Sequence, residues 1–293
     1  MIKGALTAMV TPFKSGAVDT ESLSAMIEAQ ITGGIDGLVP CGTTGESATL
    51  SHEEHSHVIE LTIEQAAGRV PVVAGTGSNS TDETLMLTKG AEKAGANAAL
   101  LITPYYNKPS QQGLFEHYKK ISEAVDLPLF LYNVPSRTGL NMLPETIARL
   151  SEFENIIGVK EATGDLAQVS DVIEYSTEDF IILSGDDAVT LPMLTIGAHG
   201  VISVTSNIAP KEMALMVSRY FAGDLAGARE LHYRLSALHR AMFLETNPLP
   251  VKTALAVMGR CAEEFRLPLV TMEESKRGEL VAALTEYGFE LSN

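Results

Sequence analysis

The stretch "IIGVKEATGD", residues 156–165, sets Lys160 directly after an apolar run and directly before an acidic, glycine-containing turn. An amine placed there can do carbonyl chemistry. Burial penalises the ammonium form and favours the neutral amine, which attacks a ketone to give a Schiff base and then an enamine, a carbon nucleophile. Lys160 can equally pair with Glu161 or Asp165 and merely close the top of the fold. Tyr132, in "LYNVPSRTG", is the natural proton carrier. A free phenol titrates near about 10, so hydroxyls such as Thr43 and Tyr106 would have to relay its proton. The plain alternative is an interior tyrosine whose hydroxyl has found a partner. "GTTG", 42–45, is either a simple turn or one whose backbone N–H groups, ahead of a helix starting near Ser51, hold a carboxylate. Arg137 has a fork suited to a second carboxylate; without support it reads as a solvated surface residue.

These residues acquire a common location from the elements around them. Eight short β-branched runs recur at nearly regular intervals: 5–11, 36–42, 70–76, 98–104, 128–133, 156–160, 180–185 and 200–206. Helical patterns lie between them, such as Leu23, Met26, Ile27 and Ile31, which would lay one apolar stripe on a sheet. Roughly 30 residues per unit, with no GxGxxG after the first run, predict an α/β fold of the (β/α)₈ TIM-barrel type rather than a Rossmann sheet. Beyond about residue 207 the patterns are helical only, so the expected organisation is a barrel over 1–223 and a C-terminal helical region over 224–293. In such a barrel chemistry sits at the C-terminal ends of the strands. The polar motifs "CGTTGES", "GTGSN", "TPYYN", "YNVPSRTG", "KEATGD", "SGDD" and "SVTSN" all fall there.

Composition narrows the function classes. The chain has 293 residues, 45% of them hydrophobic, and carries a net charge of −16 without any Lys/Arg run longer than two. That is no footprint for nucleic acid or an anionic membrane, and an anionic substrate must be held by local cations. No apolar run reaches the roughly 18 residues of a membrane span, and "MIKGALTAMVTPF" lacks a signal-peptide plan. Cys41 and Cys261 form no CxxC, so a reducing, cytoplasmic setting is expected.

Taken together, "GTTGES", "TPYYNKPSQQGLFEHY" (103–118), "LYNVPSRTG", "IIGVKEATGD" and "LSGDDA" resemble the 4-hydroxy-tetrahydrodipicolinate synthase (dihydrodipicolinate synthase) family, from Gly4 to about the chain's end. The resemblance implies a class I enzyme of the pyruvate-dependent aldolase and lyase superfamily, acting in the diaminopimelate route to lysine. Pyruvate would condense with Lys160 and attack L-aspartate 4-semialdehyde. It further implies that Thr43, Tyr132 and Tyr106 form the proton shuttle, that Thr44 holds the pyruvate carboxylate, and that Arg137 receives the semialdehyde carboxylate. Gly185 and Ile202 would line the pyruvate pocket through their backbone. Tyr106 would enter the site of a neighbouring subunit, in a homotetramer built as a dimer of dimers. In feedback-inhibited members, the positions matching Ser47, Ala48, His52, His55, Asn79, Glu83 and Tyr105 bind L-lysine at the dimer interface, so inhibition by L-lysine is expected.

Other readings of the same residues need no family. Ser51 to Glu54 is a capping box opening a helix. His52 and His55 stand three apart, not four as in H-E-x-x-H, which disfavours zinc. No metal is required, and no motif for pyridoxal phosphate or nicotinamide is present, so no cofactor is expected. Asp186 and Asp187 are expected to cap a helix, Cys41 to be a buried structural thiol, and Asn247 to be a turn residue before a proline-started helix. The competing functions are a sugar-acid lyase of the same superfamily and a non-catalytic lysine-binding or scaffold homologue. "SRTG" and the paired threonines favour the synthase; the intact set Lys160, Tyr132, Tyr106, Thr43 and Thr44 disfavours the homologue.

Overall fold

The apolar runs are buried along nearly their whole length, as parallel strands sandwiched between helices and a filled interior must be. In the computed structural model, which describes residues 2–292, they form β1 (Gly4–Ala8), β2 (Gly37–Val39), β3 (Val73–Gly75), β4 (Ala98–Ile102), β5 (Leu129–Asn133), β6 (Ile156–Glu161), β7 (Ile181–Ser184) and β8 (Gly200–Ser203). All pair in parallel. β8 returns to β1, and a bridge between Leu38 and Val72 joins β2 to β3, so the sheet closes into a barrel. The fold is the expected (β/α)₈ barrel.

Helices α1 (Thr20–Thr32), α2 (His52–Ala66), α3 (Thr81–Ala94), α4 (Gln111–Ser122), α5 (Pro135–Thr138), α6 (Pro144–Ser151), α7 (Leu166–Tyr175), α8 (Thr190–Thr195) and α9 (Pro210–Phe221) follow the strands in turn, with α5 and α6 both between β5 and β6. Many begin where an Asp or Ser oxygen accepts from an otherwise orphaned N–H: Asp19, Ser51, Ser80, Ser110 and Asp165. Ser51 and Glu54 make the full reciprocal capping box. These caps fix where each βα loop ends, and so how far its polar residues reach over the barrel mouth.

Alternation along each strand divides the apolar residues into two layers. Leu6, Val39, Val73, Leu100, Phe130, Leu183 and Ile202 fill the interior, while Leu38, Leu101, Leu131, Val159 and Val201 face the helices. β1 stops at Ala8, three residues before its apolar run ends. Asn207 takes over there: its amide donates to the Ala8 carbonyl at 2.8 Å and its oxygen accepts from Val10 N–H at 3.3 Å. A short hairpin that sequence patterning did not indicate, Phe13–Lys14 against Ala17–Val18, follows in the same loop. Glu264 accepts from Ser15 and Gly16 N–H at its tip.

After α9 come α10 (Leu225–Ala241), α11 (Leu249–Val257) and α12 (Glu274–Tyr287). Asp224 caps α10, which packs on α9 and α12. Leu235, Leu238, Val251 and Leu280 join the same apolar cluster as the barrel residues, so packing runs across the 223/224 boundary without a break.

Candidate active site

Tyr132 and Lys160 stand opposite one another in the ladder between β5 and β6. Both are buried, at 7% and 6% exposure. The Lys160 Nζ lies 4.2 Å from the centroid of the Tyr132 ring, on its face, where the ring quadrupole attracts a cation. The carboxylates that might have paired with it are engaged elsewhere. Glu161 points out of the barrel, accepting from Asn133 at 3.0 Å, Gln168 at 3.3 Å and Thr163 N–H at 2.8 Å; burial pushes its pKa up and those hydrogen bonds pull it back. Asp165 caps α7. Lys160 is therefore a buried amine held by an aromatic face, with its nearest sequence neighbours removed from it.

Glycine at position 185 is needed for that placement. A Cβ there would sit 3.1 Å from Lys160 Cε and 2.6 Å from the Ala162 methyl. Its backbone N–H donates to the Glu161 carbonyl at 2.7 Å, which fixes the edge along which the lysine stem passes.

A cavity of about 420 Å³ opens above Lys160 and Tyr132, walled by Thr43, Thr44, Arg137 and Gly185. In the Thr43–Thr44 turn, the N–H groups of Gly45, Glu46 and Ser47 donate back to Gly42 and Thr43 carbonyls. Those of Thr43 and Thr44 meet no protein acceptor among the described residues, so they are available to a carboxylate. Arg137, on the single turn α5 that Pro135 starts, donates to the Asn247 carbonyl at 3.0 Å. Ile202 lies deeper, with its side chain in the barrel interior, and Val204 meets the cavity at that strand's end. Tyr106 is 89% exposed, with a left-handed φ of 71°, and does not line the cavity of its own chain.

A second cavity, also about 420 Å³, shares Thr43, Tyr132 and Arg137 with the first. Ser47, Ala48, His52, His55, Glu83 and Tyr105 line it. Glu83 accepts from the Ser78 hydroxyl and meets His52 Nε2 at 2.9 Å; these hydrogen bonds hold its pKa below the usual value. Burial lowers the His55 pKa and favours its neutral ring. Asn79 stands outside this lining, and its carbonyl accepts from the Asn107 amide at 2.9 Å.

The model of the dihydrodipicolinate synthetase family matches residues 1–287. The chain belongs to that family. A 4-hydroxy-tetrahydrodipicolinate synthase from Geotalea uraniireducens is 56% identical over 288 residues, covering 98% of this chain and 99% of the relative. Among solved structures, a chloride-inhibited dihydrodipicolinate synthase from Acinetobacter baumannii complexed with pyruvate is 47% identical. It superposes with a TM-score of 0.97 over 99% of this chain and 100% of that one. The enzyme from Cyanidioschyzon merolae with lysine bound is 39% identical, with a TM-score of 0.96 over 99% of each chain.

Within this dihydrodipicolinate synthetase fold, one expectation is extended and one is corrected. Asn247 is the expected turn residue ahead of α11 and does more: it is buried, its amide donates to Thr44 Oγ1 at 3.0 Å, and its carbonyl receives Arg137. One residue thus braces Thr44 from 203 positions away and Arg137 from 110. Asp186 caps the turn after β7, but Asp187 does not act as a cap; its oxygen accepts from Val204 and Thr205 N–H at 3.0 and 2.9 Å and ties the loops after β7 and β8 together. Cys41 is buried and its thiol is pushed up by burial, as fits a structural thiol.

Proposed function

We propose that the enzyme condenses pyruvate with L-aspartate 4-semialdehyde through a Schiff base on Lys160. The single observation that carries this reading is the buried Lys160 amine, resting on the Tyr132 ring at the floor of a cavity that Thr43, Thr44 and Arg137 also line. Lys160 attacks the pyruvate ketone and water leaves, giving the imine. Loss of a methyl proton gives the enamine, whose carbon attacks the aldehyde. The amine of the second substrate then adds to the imine carbon and displaces Lys160, closing 4-hydroxy-tetrahydrodipicolinate. Each step moves a proton, and Tyr132 stands beside the amine that gains and loses them; Thr43 lines the same cavity and is assigned to the relay. The free N–H groups of Thr43 and Thr44 support a site for the pyruvate carboxylate, and the Arg137 fork supports one for the semialdehyde carboxylate.

The exposed Tyr106 completes the shuttle of a neighbouring copy in this proposal, within a homotetramer assembled as a dimer of dimers. The barrel, 1–223, carries the chemistry, and the helical region, 224–293, braces it. L-lysine occupies the second cavity, its ammonium on Glu83, and inhibits through the wall the two cavities share. Among the described residues no helix is long and apolar enough to cross a membrane; a cytosolic setting is supported by two free cysteines.

The initial rate with both substrates, with and without L-lysine, tests the reading. Turnover suppressed by L-lysine is the expected result. Turnover indifferent to it would remove the effector site, and no turnover would favour a sugar-acid lyase.

A further inference from the structure

A second lysine is buried more deeply than Lys160. Lys252, on α11, is fully buried, and its Nζ donates to the Glu46 carboxylate and, at 3.1 Å, to the Glu264 carbonyl. The rings of Phe13 and Phe265 flank the ammonium at 4.1 and 5.2 Å. Glu46 is the acidic residue of "GTTGES", two positions after Thr44, and adopts a left-handed φ of 52° that a non-glycine residue seldom takes. Its other oxygen accepts from Arg266 N–H at 3.3 Å. Arg266 in turn grips Glu54 at the start of α2 and the Thr49 carbonyl.

The Thr43–Thr44 turn is therefore fastened on both sides by one segment. Asn247 holds the Thr44 hydroxyl, and five residues later Lys252 holds Glu46. Thr11 fastens it from the front, its hydroxyl donating to the Gly45 carbonyl at 2.7 Å. A fully buried ion pair gives little net stability compared with apolar residues of the same shape, so stability alone is a weak reason for one here. What it offers is direction: the carboxylate must sit where the ammonium is, which holds the left-handed Glu46 backbone and with it the turn whose Thr43 and Thr44 line the cavity.

We propose that Glu46 and Lys252 are positioning residues for pyruvate recognition, through which the C-terminal helical region sets the carboxylate-binding turn. The inference rests on the reading of the cavity as a pyruvate site. Neither residue touches substrate.

The test compares the wild type with Lys252→Met and with the double variant Glu46→Gln/Lys252→Met. Lys252→Met leaves a buried carboxylate unpaired and can fail to fold; the double variant leaves no unpaired charge. In the folded, assembled double variant the KM for pyruvate is expected to rise about tenfold, while the KM for the semialdehyde and kcat at saturating pyruvate change by less than about threefold. Borohydride trapping of pyruvate should shift to correspondingly higher pyruvate concentration. A folded double variant with wild-type pyruvate KM would overturn the inference, as would one whose only change is a lower melting temperature. A double variant that does not fold would overturn it too, because the pair would then be serving stability. If the wild type itself traps no pyruvate, the underlying reading fails instead, and the two failures are distinct.

Discussion

Lys160 and Lys252 are both buried against aromatic rings, yet they meet opposite company. Lys252 has a carboxylate, a carbonyl and two phenylalanine faces; Lys160 has a tyrosine face and an open cavity. Burial lowers the Lys252 pKa and Glu46 offsets part of that, but the carboxylate, the carbonyl and the two rings enclose the nitrogen and leave no room for a substrate to approach. The Lys160 amine has no such partner and faces the open cavity, where a carbonyl carbon can reach it. The barrel separates the two roles by geometry. Strand alternation turns Glu161 away from Lys160, whereas the left-handed turn brings Glu46 onto Lys252.

The largest effect expected from breaking this contrast is at Lys160. Lys160→Ala should lower kcat by roughly 10⁴-fold or more, as removal of other covalent groups does, with the fold intact by circular dichroism. Substantial residual turnover would mean that the imine is not obligatory. Tyr132→Phe keeps the ring face but removes the proton carrier, and should cost roughly 10²- to 10⁴-fold in kcat. A wild-type rate would send the proton by another path. Lys252→Met, by contrast, should act on stability: leaving Glu46 buried and unpaired costs roughly 3–5 kcal/mol, readable by urea denaturation. A loss under about 1 kcal/mol would show that Glu46 does not remain buried and unpaired once Lys252 is gone.

Smaller effects lie around the two lysines. Glu83→Ala removes the carboxylate assigned to the effector ammonium and should raise the half-inhibitory L-lysine concentration about tenfold or more, the worth of a charge-assisted hydrogen bond. Unchanged inhibition would withdraw that assignment. Glu54, held by Arg266, has its pKa lowered to about 2. A depressed carboxylate contributes stability that is complete above its unfolded value near about 4.3 and is lost as pH falls through the folded one. Glu54→Gln should therefore flatten the decline of stability between about pH 4.5 and 2, by about 1 kcal/mol after screening; an unaltered acid limb would count against the pairing.

Much of this was legible in the sequence because the signal was local. All eight strands announced themselves as apolar runs, and Lys160, Tyr132, Thr43, Thr44 and Arg137 drew notice because each sits at the end of one. What escaped depends on contacts between distant segments. Asn247 reads as a turn residue until the fold brings it to Thr44, and Glu46 reads as one more polar group in a loop. Lys252 left a faint sign: in "LPVKTALAV" it is the one charged residue of an otherwise largely apolar helix, a pattern that marks a lysine without a solvated face. Tyr106 shows a different limit, since its exposure in one chain fits a role that needs a second copy.

The most direct measurement is borohydride reduction in the presence of pyruvate alone, followed by peptide mapping by mass spectrometry. The account predicts one reduced adduct, on Lys160, with Lys252 unmodified. An adduct on Lys252 or another lysine, or a protein whose mass does not change, would contradict it.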